Sequence, residues 1–169
     1  MTARFRIEPL TSAHDRKAFA SGVAPLDRYL RELAMQDIRR RVSNCFVAID
    51  PSGVVAGYYT FAATGLPLTE LSTGEAKRLP RYPLLPAGLI GRLAVDERFQ
   101  RQRLGSALIM DAAQRAARTD PAIFALVVDA KDEMAVRFYQ HHGFQRFTSR
   151  PMSLFLPLAT ALHAFAKLP

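Results

Sequence analysis

The turn between Asp96 and Ser106 contains the residues best suited to chemistry. An apolar run, LAV, precedes it, and a helical pattern begins within it. Backbone N–H groups at a helix start attract anions because the helix does not pair them and its dipole is positive at that end. Arginines around the turn add to this attraction. The segment from Gln100 to Gly105 therefore predicts a site for a phosphate-bearing ligand.

A tyrosine near the end of another predicted helix, Tyr139 in AVRFYQHHGF, is the second candidate. A phenol held close to a leaving group can act as a general acid. The alternative is that Tyr139 only packs, as we expect for Phe138 and Phe144. Glu97 and Asp129 are nearby acids, but acids beside basic turns usually form ion pairs or caps. The sequence therefore offers no clear general base.

The charge of the chain indicates anionic partners. The net charge is +8 and the isoelectric point is about 10.2. A small, strongly basic protein usually binds anions. The alternatives are solvated basic faces or an acidic protein partner. The positive charge is grouped in three clusters, which are Arg39, Arg40 and Arg41; Lys77, Arg78 and Arg81; and Arg98, Arg101 and Arg103.

Length and composition indicate one globular domain comprising residues 1–169, of which 49% are hydrophobic. We expect a cytoplasmic protein without a membrane partner, because no apolar run approaches the roughly 20 residues that cross a bilayer and the charged N-terminus is unlike a signal peptide. Cys45 lies in an apolar run and is expected to be a buried strand residue. The four histidines show no metal-ligand spacing, so we expect no metal.

Hydrophobic periodicity predicts a mixed sheet flanked by helices. In the first helix, the apolar positions Leu26, Tyr29, Leu30, Leu33, Ala34 and Ile38 are predicted to share one face. The predicted strands are 5–9, 45–50, 54–62, 89–95, 123–128, 144–148 and 152–156, and the predicted helices are 25–41, 104–118 and 132–142. Residues 64–86 are predicted to form a loop with a short helix near 70–78, and 157–169 a tail without assigned structure.

The strand, the anion-binding turn and the tyrosine together resemble the acetyl-coenzyme A site of the GNAT acetyltransferase superfamily, which implies an α/β (α+β) fold with a mostly antiparallel sheet. Gln100 and Gly105 fit its motif of glutamine or arginine, two variable residues, glycine, one variable residue, then glycine or alanine. Arg103 stands at the first glycine position. The resemblance implies Tyr139 as the proton donor and, as the acetyl-coenzyme A site, Leu93, Ala94, Val95, Gln100, Arg101, Gln102, Arg103, Leu104, Gly105 and Ser106.

A larger part of the chain, about residues 5–158, resembles the bacterial toxins that acetylate the amino acid on charged tRNA. The resembling segments are FASGVAPLDRYL, VVAGYYTFA, RLPRYPLLP, GRLAVDERFQ, LVVDAKDEMAVRFYQHHGF and PMSLFLPL. This family implies acetyl transfer to the α-amine of aminoacyl-tRNA, a block of translation, a homodimer and an antitoxin with a ribbon-helix-helix domain. Family position and charge suggest an RNA contact at Arg41, Lys77, Arg78, Arg81 and Arg92.

Two other functions fit the sequence. One is a GNAT enzyme that acetylates a small amine or a protein N-terminus. The other is a catalytically silent GNAT protein that only binds a partner. This second function stays an alternative because Arg103 stands where the motif has glycine. The missing general base favours an α-amine acceptor, since an α-amine with a pKa near 7.7 is partly neutral at physiological pH and a lysine amine near 10.4 is not.

Overall fold

The computed structural model describes residues 4–167, which form a mixed sheet with helices, as predicted. The strands are β1 Arg6–Pro9, β2 Asn44–Ile49, β3 Val55–Pro67, β4 Leu84–Val95, β5 Ala125–Asp129, β6 Gln145–Arg146 and β7 Ser153–Pro157. The helices are α1 Ala24–Arg28, α2 Ala34–Arg39, α3 Thr73–Ala76, α4 Leu104–Arg118, α5 Glu133–His141 and α6 Leu158–Ala166. A π-helical segment, Tyr29–Leu33, joins α1 to α2, and 3-10 turns occupy Leu68–Glu70 and Glu97–Phe99.

The strand order in the sheet is β1-β2-β3-β4-β5-β7-β6. β1 and β2, β2 and β3, β5 and β7, and β6 and β7 pair antiparallel. β4 and β5 pair in parallel, from Ala87 opposite Ala125 to Ile90 opposite Val128. A parallel pair needs a long crossover, and α4 lies within it. Leu93, Ala94 and Val95 follow the paired segment of β4, where the turn of interest begins.

The chain divides into two compact units, and β3, β4 and α4 each contribute to both. The first unit comprises residues up to 62 together with 91–111. Its apolar core includes Leu30, Val47 and Tyr58, and it contains the basic turn. The second unit comprises residues 63–90 and those from 112 onward. Its core includes Leu66 and Phe155, and it contains Tyr139.

The face predicted for the first helix is wrong at Leu33, which is 38% exposed. Leu30 and Ala34 are buried, as predicted. The difference arises because Tyr29–Leu33 is π-helical, and a π-helical turn contains more residues than an α-helical one. The widened turn rotates Leu33 away from the core.

The predicted loop 64–86 is too long, because β3 continues to Pro67 and β4 already begins at Leu84. The prolines interrupt the sequence pattern, yet Leu66 and Leu85 are buried on these strands. A proline lacks an N–H but keeps its carbonyl. The Pro86 carbonyl, on β4, accepts a hydrogen bond of 2.8 Å from the Phe124 N–H.

Several other boundaries agree with the sequence. α4 has the predicted bounds, the Asp132 side chain caps α5, and Gly143 follows that helix with a φ of 92°.

The C-terminal part of the chain differs from the prediction. The predicted strand 144–148 shortens to the two residues of β6. Part of the unassigned tail forms α6, and residues 168–169 of the tail lie outside the described residues. No helix among residues 4–167 is long and apolar enough to span a membrane.

Replacing Gly57 by alanine is expected to lower the free energy of unfolding by about 1–3 kcal/mol, as for an overpacked core. A Cβ at this position would lie 3.0 Å from the Ala94 carbonyl oxygen and 3.2 Å from a Leu104 methyl. Gly74→Ala is the control, since nothing lies within 4 Å of a Cβ there. Urea unfolding measures both variants. If Gly57→Ala is as stable as the wild type, the close approach of β3 to β4 and α4 is contradicted.

Candidate active site

The turn that joins β4 to α4 is anchored by a buried carboxylate. Asp96 is 1% exposed. Its Oδ2 accepts the Ala20 N–H at 3.0 Å, and its Oδ1 accepts the Arg98 N–H at 2.9 Å. The Arg98 guanidinium adds bonds of 2.9 and 3.1 Å. Burial alone raises the pKa of Asp96, but these bonds outweigh it and hold the pKa below its usual value. The turn therefore starts from an ionised, fully bonded side chain.

The Gln100 side chain also holds the turn in place through hydrogen bonds. Its Nε2 donates to the Ser21 carbonyl at 3.1 Å and to the Val95 carbonyl at 3.0 Å. Ser21 is itself held by Asp27, whose Oδ1 accepts both the Ser21 N–H and the Ser21 hydroxyl. The Gln100 side chain, predicted to lie at the ligand site, therefore holds the turn through hydrogen bonds to two backbone carbonyls of the same chain. It also occupies the Val95 carbonyl with an intramolecular bond.

Between Gln100 and α4, the backbone is left-handed at two arginines. Arg101 and Arg103 have φ angles of 64° and 60°. This left-handed conformation costs a non-glycine residue about 1–2 kcal/mol and is concentrated at functional sites. Within residues 4–167, neither exposed side chain forms an ion pair. The carbonyl of Arg103 accepts the Ala107 N–H at 3.1 Å, and the N–H groups of Leu104 and Gly105 belong to the first turn of α4, where the helix itself supplies no acceptor.

The remaining predicted ligand residues line the same segment. Leu104 and Ala94 are buried, whereas Leu93 and Val95 are half-buried. The buried Oε1 of Gln102 has no hydrogen-bond partner within residues 4–167. An unpaired buried acceptor is costly, and a ligand N–H or hydroxyl would satisfy it. Within the described residues, the turn thus offers the amides of Leu104 and Gly105, the guanidiniums of Arg101 and Arg103 without ion pairs, and the unpaired Gln102 acceptor. This set fits a pyrophosphate followed by an amide-bearing arm.

Tyr139 is 7% exposed and lies between the rings of Phe138 and Phe144, at centroid distances of 5.2 and 5.3 Å. Burial raises the pKa of Tyr139 to about 12. The phenol therefore keeps its proton throughout the physiological range. In the described part of the chain, its hydroxyl has no hydrogen-bond partner. Both observations fit a hydroxyl available to donate to a substrate.

Other titratable groups have structural roles. Cys45 is buried, and desolvation raises the pKa of its thiol to about 12, which confirms the prediction of an inert strand cysteine. Asp129 accepts a hydrogen bond of 2.7 Å from the Ser153 hydroxyl. Among residues 4–167, no group of three or more His, Cys, Asp or Glu side chains is placed to hold a metal ion.

The residues suggested for RNA contact belong to both units. In the first unit, Arg41 follows α2 with a φ of 60°, and the Arg92 guanidinium lies 3.7 Å from the centroid of the Tyr29 ring. In the second, Lys77, Arg78 and Arg81 are exposed in the segment that follows α3. Since none of these three forms an ion pair within the described residues, their charge is available to an anionic ligand.

Sequence reasoning did not find the side chains that hold these segments in place. Asp96 is one, although a lone acid at the end of an apolar strand was a usable signal. Glu70 is another: it is buried, and its carboxylate accepts bonds from the N–H and hydroxyl of Ser149. These bonds lower the pKa of Glu70. Glu70 lies just before α3. Its bonds to Ser149 therefore fix the start of the segment that continues through α3 to Lys77, Arg78 and Arg81.

Comparison with known proteins identifies the family of this chain. The family model described as an acetyltransferase (GNAT) domain matches residues 41–146. The chain belongs to this acetyltransferase (GNAT) family. A protein of Mycobacterium tuberculosis named "tRNA-acetylating toxin" is 33% identical over 154 residues, which cover 90% of this chain and 91% of that protein.

Two solved structures are also similar. The toxin AtaT in complex with acetyl-methionyl-tRNAfMet superimposes with a TM-score of 0.87 and 27% identity, covering 95% of this chain and 99% of AtaT. AtaTR bound with acetyl-coenzyme A has a TM-score of 0.79 and 28% identity, covering 96% and 98% of the two chains. The fold and nearly the whole length are therefore shared with these proteins.

Replacing Arg103 by glycine is expected to raise the free energy of unfolding by up to about 1 kcal/mol. Glycine adopts the left-handed conformation without strain, and its greater freedom in the unfolded chain offsets part of the gain. Arg103→Ala removes the same side chain but keeps the Cβ, so it is the matched control and should give no increase. Urea unfolding compares them. A glycine variant no more stable than the alanine variant would contradict the left-handed turn.

Proposed function

We propose that this chain is a toxin acetyltransferase that moves an acetyl group from acetyl-coenzyme A to the α-amine of aminoacyl-tRNA and so blocks translation. The observation that supports this most strongly is the 33% identity to a tRNA-acetylating toxin over 90% of the chain. The turn at the start of α4 agrees with it, because it presents amides and arginines to a ligand with phosphate groups.

Acetyl-coenzyme A supplies an acyl group activated as a thioester. In the proposed site, the backbone amides near Arg101 to Ser106 hold the pyrophosphate, and the guanidinium of Arg103 pairs with it. The backbone of Leu93 and Ala94 bonds the amide-bearing arm in the manner of an added strand. This chain lacks the first glycine of the motif, but Arg103 at that position has a φ of 60°, in the left-handed region that glycine adopts without strain.

Tyr139 is the proposed catalytic residue. A C–N bond forms at the acceptor amine, the C–S bond breaks, and the amine loses a proton while the departing sulfur gains one. A phenol with a pKa of about 12 is fully protonated at neutral pH, so it can donate to the sulfur. The two aromatic rings beside it hold the side chain in one position.

The acceptor is proposed to be an α-amine because this amine needs little help to lose its proton. With a pKa near 7.7, about a third of it is neutral at pH 7.4, compared with about one part in a thousand for a lysine amine near 10.4. The nearby acids do not contradict this, since Asp129 already accepts the Ser153 hydroxyl. Aminoacyl-tRNA carries such an α-amine.

The tRNA backbone is proposed to contact Arg41, Lys77, Arg78, Arg81 and Arg92. Phosphate contacts of this kind give affinity and position with little sequence choice. A net charge of +8 is suited to such a ligand. The stacking of Arg92 on Tyr29 holds its guanidinium in place, which lowers the entropy lost on binding.

We further propose a single GNAT domain that acts as a homodimer in the cytoplasm, where charged tRNA is used. An antitoxin with a ribbon-helix-helix DNA-binding domain is the proposed neutralising partner. The similarity to a protein named as a toxin supports such a partner, and the basic surface suits an acidic one. These statements rest on the family resemblance and on charge.

Incubation with radiolabelled acetyl-coenzyme A and charged tRNA tests the function. Label should enter the RNA with the wild type and fall by roughly tenfold or more with Tyr139→Phe, because the general acid is lost. Uncharged tRNA is the substrate control, and the unfolding curve of the variant shows that it folds. Equal rates for wild type and variant would reject the role of Tyr139.

The same experiment separates the other functions. Label that enters small amines or peptide N-termini while charged tRNA receives none indicates a small-amine or N-terminal acetyltransferase. No label in any acceptor, from a folded protein, indicates a silent binding protein.

A further inference from the structure

Tyr82 is an exposed aromatic side chain that the proposed function has not used. It is 64% exposed, in the segment between α3 and β4. In the described part of the chain, its ring has no aromatic partner and its hydroxyl no hydrogen bond. An aromatic ring exposed to water to this extent is a common feature of binding surfaces.

The backbone around Tyr82 is fixed on both sides. Leu79 and Leu85 pack into the apolar core of the second unit. The Tyr82 N–H donates to the Pro80 carbonyl at 2.9 Å, and the Pro83 carbonyl accepts the Leu68 N–H at 3.1 Å. Pro83 also restricts the backbone of the residue that precedes it. The backbone that carries the ring is therefore held by hydrogen bonds and packing, which lowers the conformational entropy lost when the ring binds.

The charge around Tyr82 favours a nucleic acid. Lys77, Arg78 and Arg81 lie within five residues of it in the sequence, and all three are exposed. None has a carboxylate partner within residues 4–167, whereas Arg98 and Arg146 do. Three exposed cations without ion pairs in the described residues, close in sequence to an exposed ring, match the combination that binds unpaired nucleotides, with cations on the phosphates and the ring on a base.

We propose that Tyr82 stacks on a base in the unpaired 3′ end of the tRNA, while Lys77, Arg78 and Arg81 contact the neighbouring phosphates. This inference rests on the proposed function, since it identifies a contact to the proposed substrate. Bases in a duplex stem are already stacked on their neighbours, so a side-chain ring stacks on unpaired nucleotides. The amino acid to be acetylated is attached to that end of the tRNA.

Equilibrium binding of charged tRNA to the wild type, Tyr82→Leu and Tyr82→Phe tests the proposal. Leucine keeps an apolar side chain but loses the aromatic face, so the Kd should rise by about 5- to 150-fold, the range for one stacked base. Phenylalanine keeps the face and should bind as tightly as the wild type. The salt dependence of binding should not change in Tyr82→Leu, because no phosphate contact is removed.

A tRNA shortened by its unpaired 3′ nucleotides is the matched ligand control. The wild type and Tyr82→Leu should bind it equally, because the stacked base is absent. The proposal is overturned if Tyr82→Leu binds charged tRNA like the wild type, if Tyr82→Phe is as weak as Tyr82→Leu, or if the difference persists with the shortened tRNA. A leucine variant that binds RNA normally but no longer forms a protein complex would instead assign Tyr82 to a protein interface.

These results are separable from failure of the proposed function. Wild-type protein that acetylates charged tRNA, together with unchanged binding by Tyr82→Leu, overturns only the stacking contact. Wild-type protein that neither binds nor acetylates charged tRNA overturns the function itself and, with it, the contact.

Discussion

The hydrogen bonds by which Asp96 and Gln100 hold the turn between β4 and α4 are the constraint on which the proposed acetyl-coenzyme A site depends. Asp96 is a buried carboxylate with hydrogen bonds from Ala20 and Arg98, and Gln100 bonds two backbone carbonyls. An ionised side chain tolerates this burial only because it is fully bonded. These contacts hold a strained segment, since Arg101 and Arg103 are both left-handed. Without them, this strained segment would relax, and the amides at the start of α4 would lose their fixed position.

Chemistry and binding are assigned to side chains with different environments. Tyr139 is buried among aromatic rings, which keep it protonated and positioned, as a proton donor requires. The basic residues after α3 are exposed and without ion pairs in the described part of the chain, as binding to a phosphate backbone requires. The buried Glu70 fixes the start of that basic segment without facing solvent itself. In the proposed function, burial keeps Tyr139 protonated, and exposure leaves the basic residues accessible to RNA.

Local patterns in the sequence were enough to predict the bounds of α4, the cap of α5 at Asp132, the burial of Cys45 and the mixed sheet. These features depend on periodicity and on residues close together in the chain. The exposure of Leu33 was not predictable, because a π-helical segment changes the period within one helix. The roles of Asp96 and Gln100 depend on contacts with residues 76 and 79 positions away, respectively, so spacing along the chain does not reveal them. The assignments of ligand and RNA residues stay predictions.

Amide hydrogen exchange across residues 101–106, with and without acetyl-coenzyme A, tests the central claim that this arginine-containing turn binds the pyrophosphate. Bound acetyl-coenzyme A should slow exchange in the turn, because its N–H groups donate to the phosphates. S-acetylpantetheine, which lacks the pyrophosphate, should not. Calorimetry in parallel shows whether acetyl-coenzyme A is bound. Bound acetyl-coenzyme A with unchanged exchange at 101–106, or no binding at all, would contradict the account.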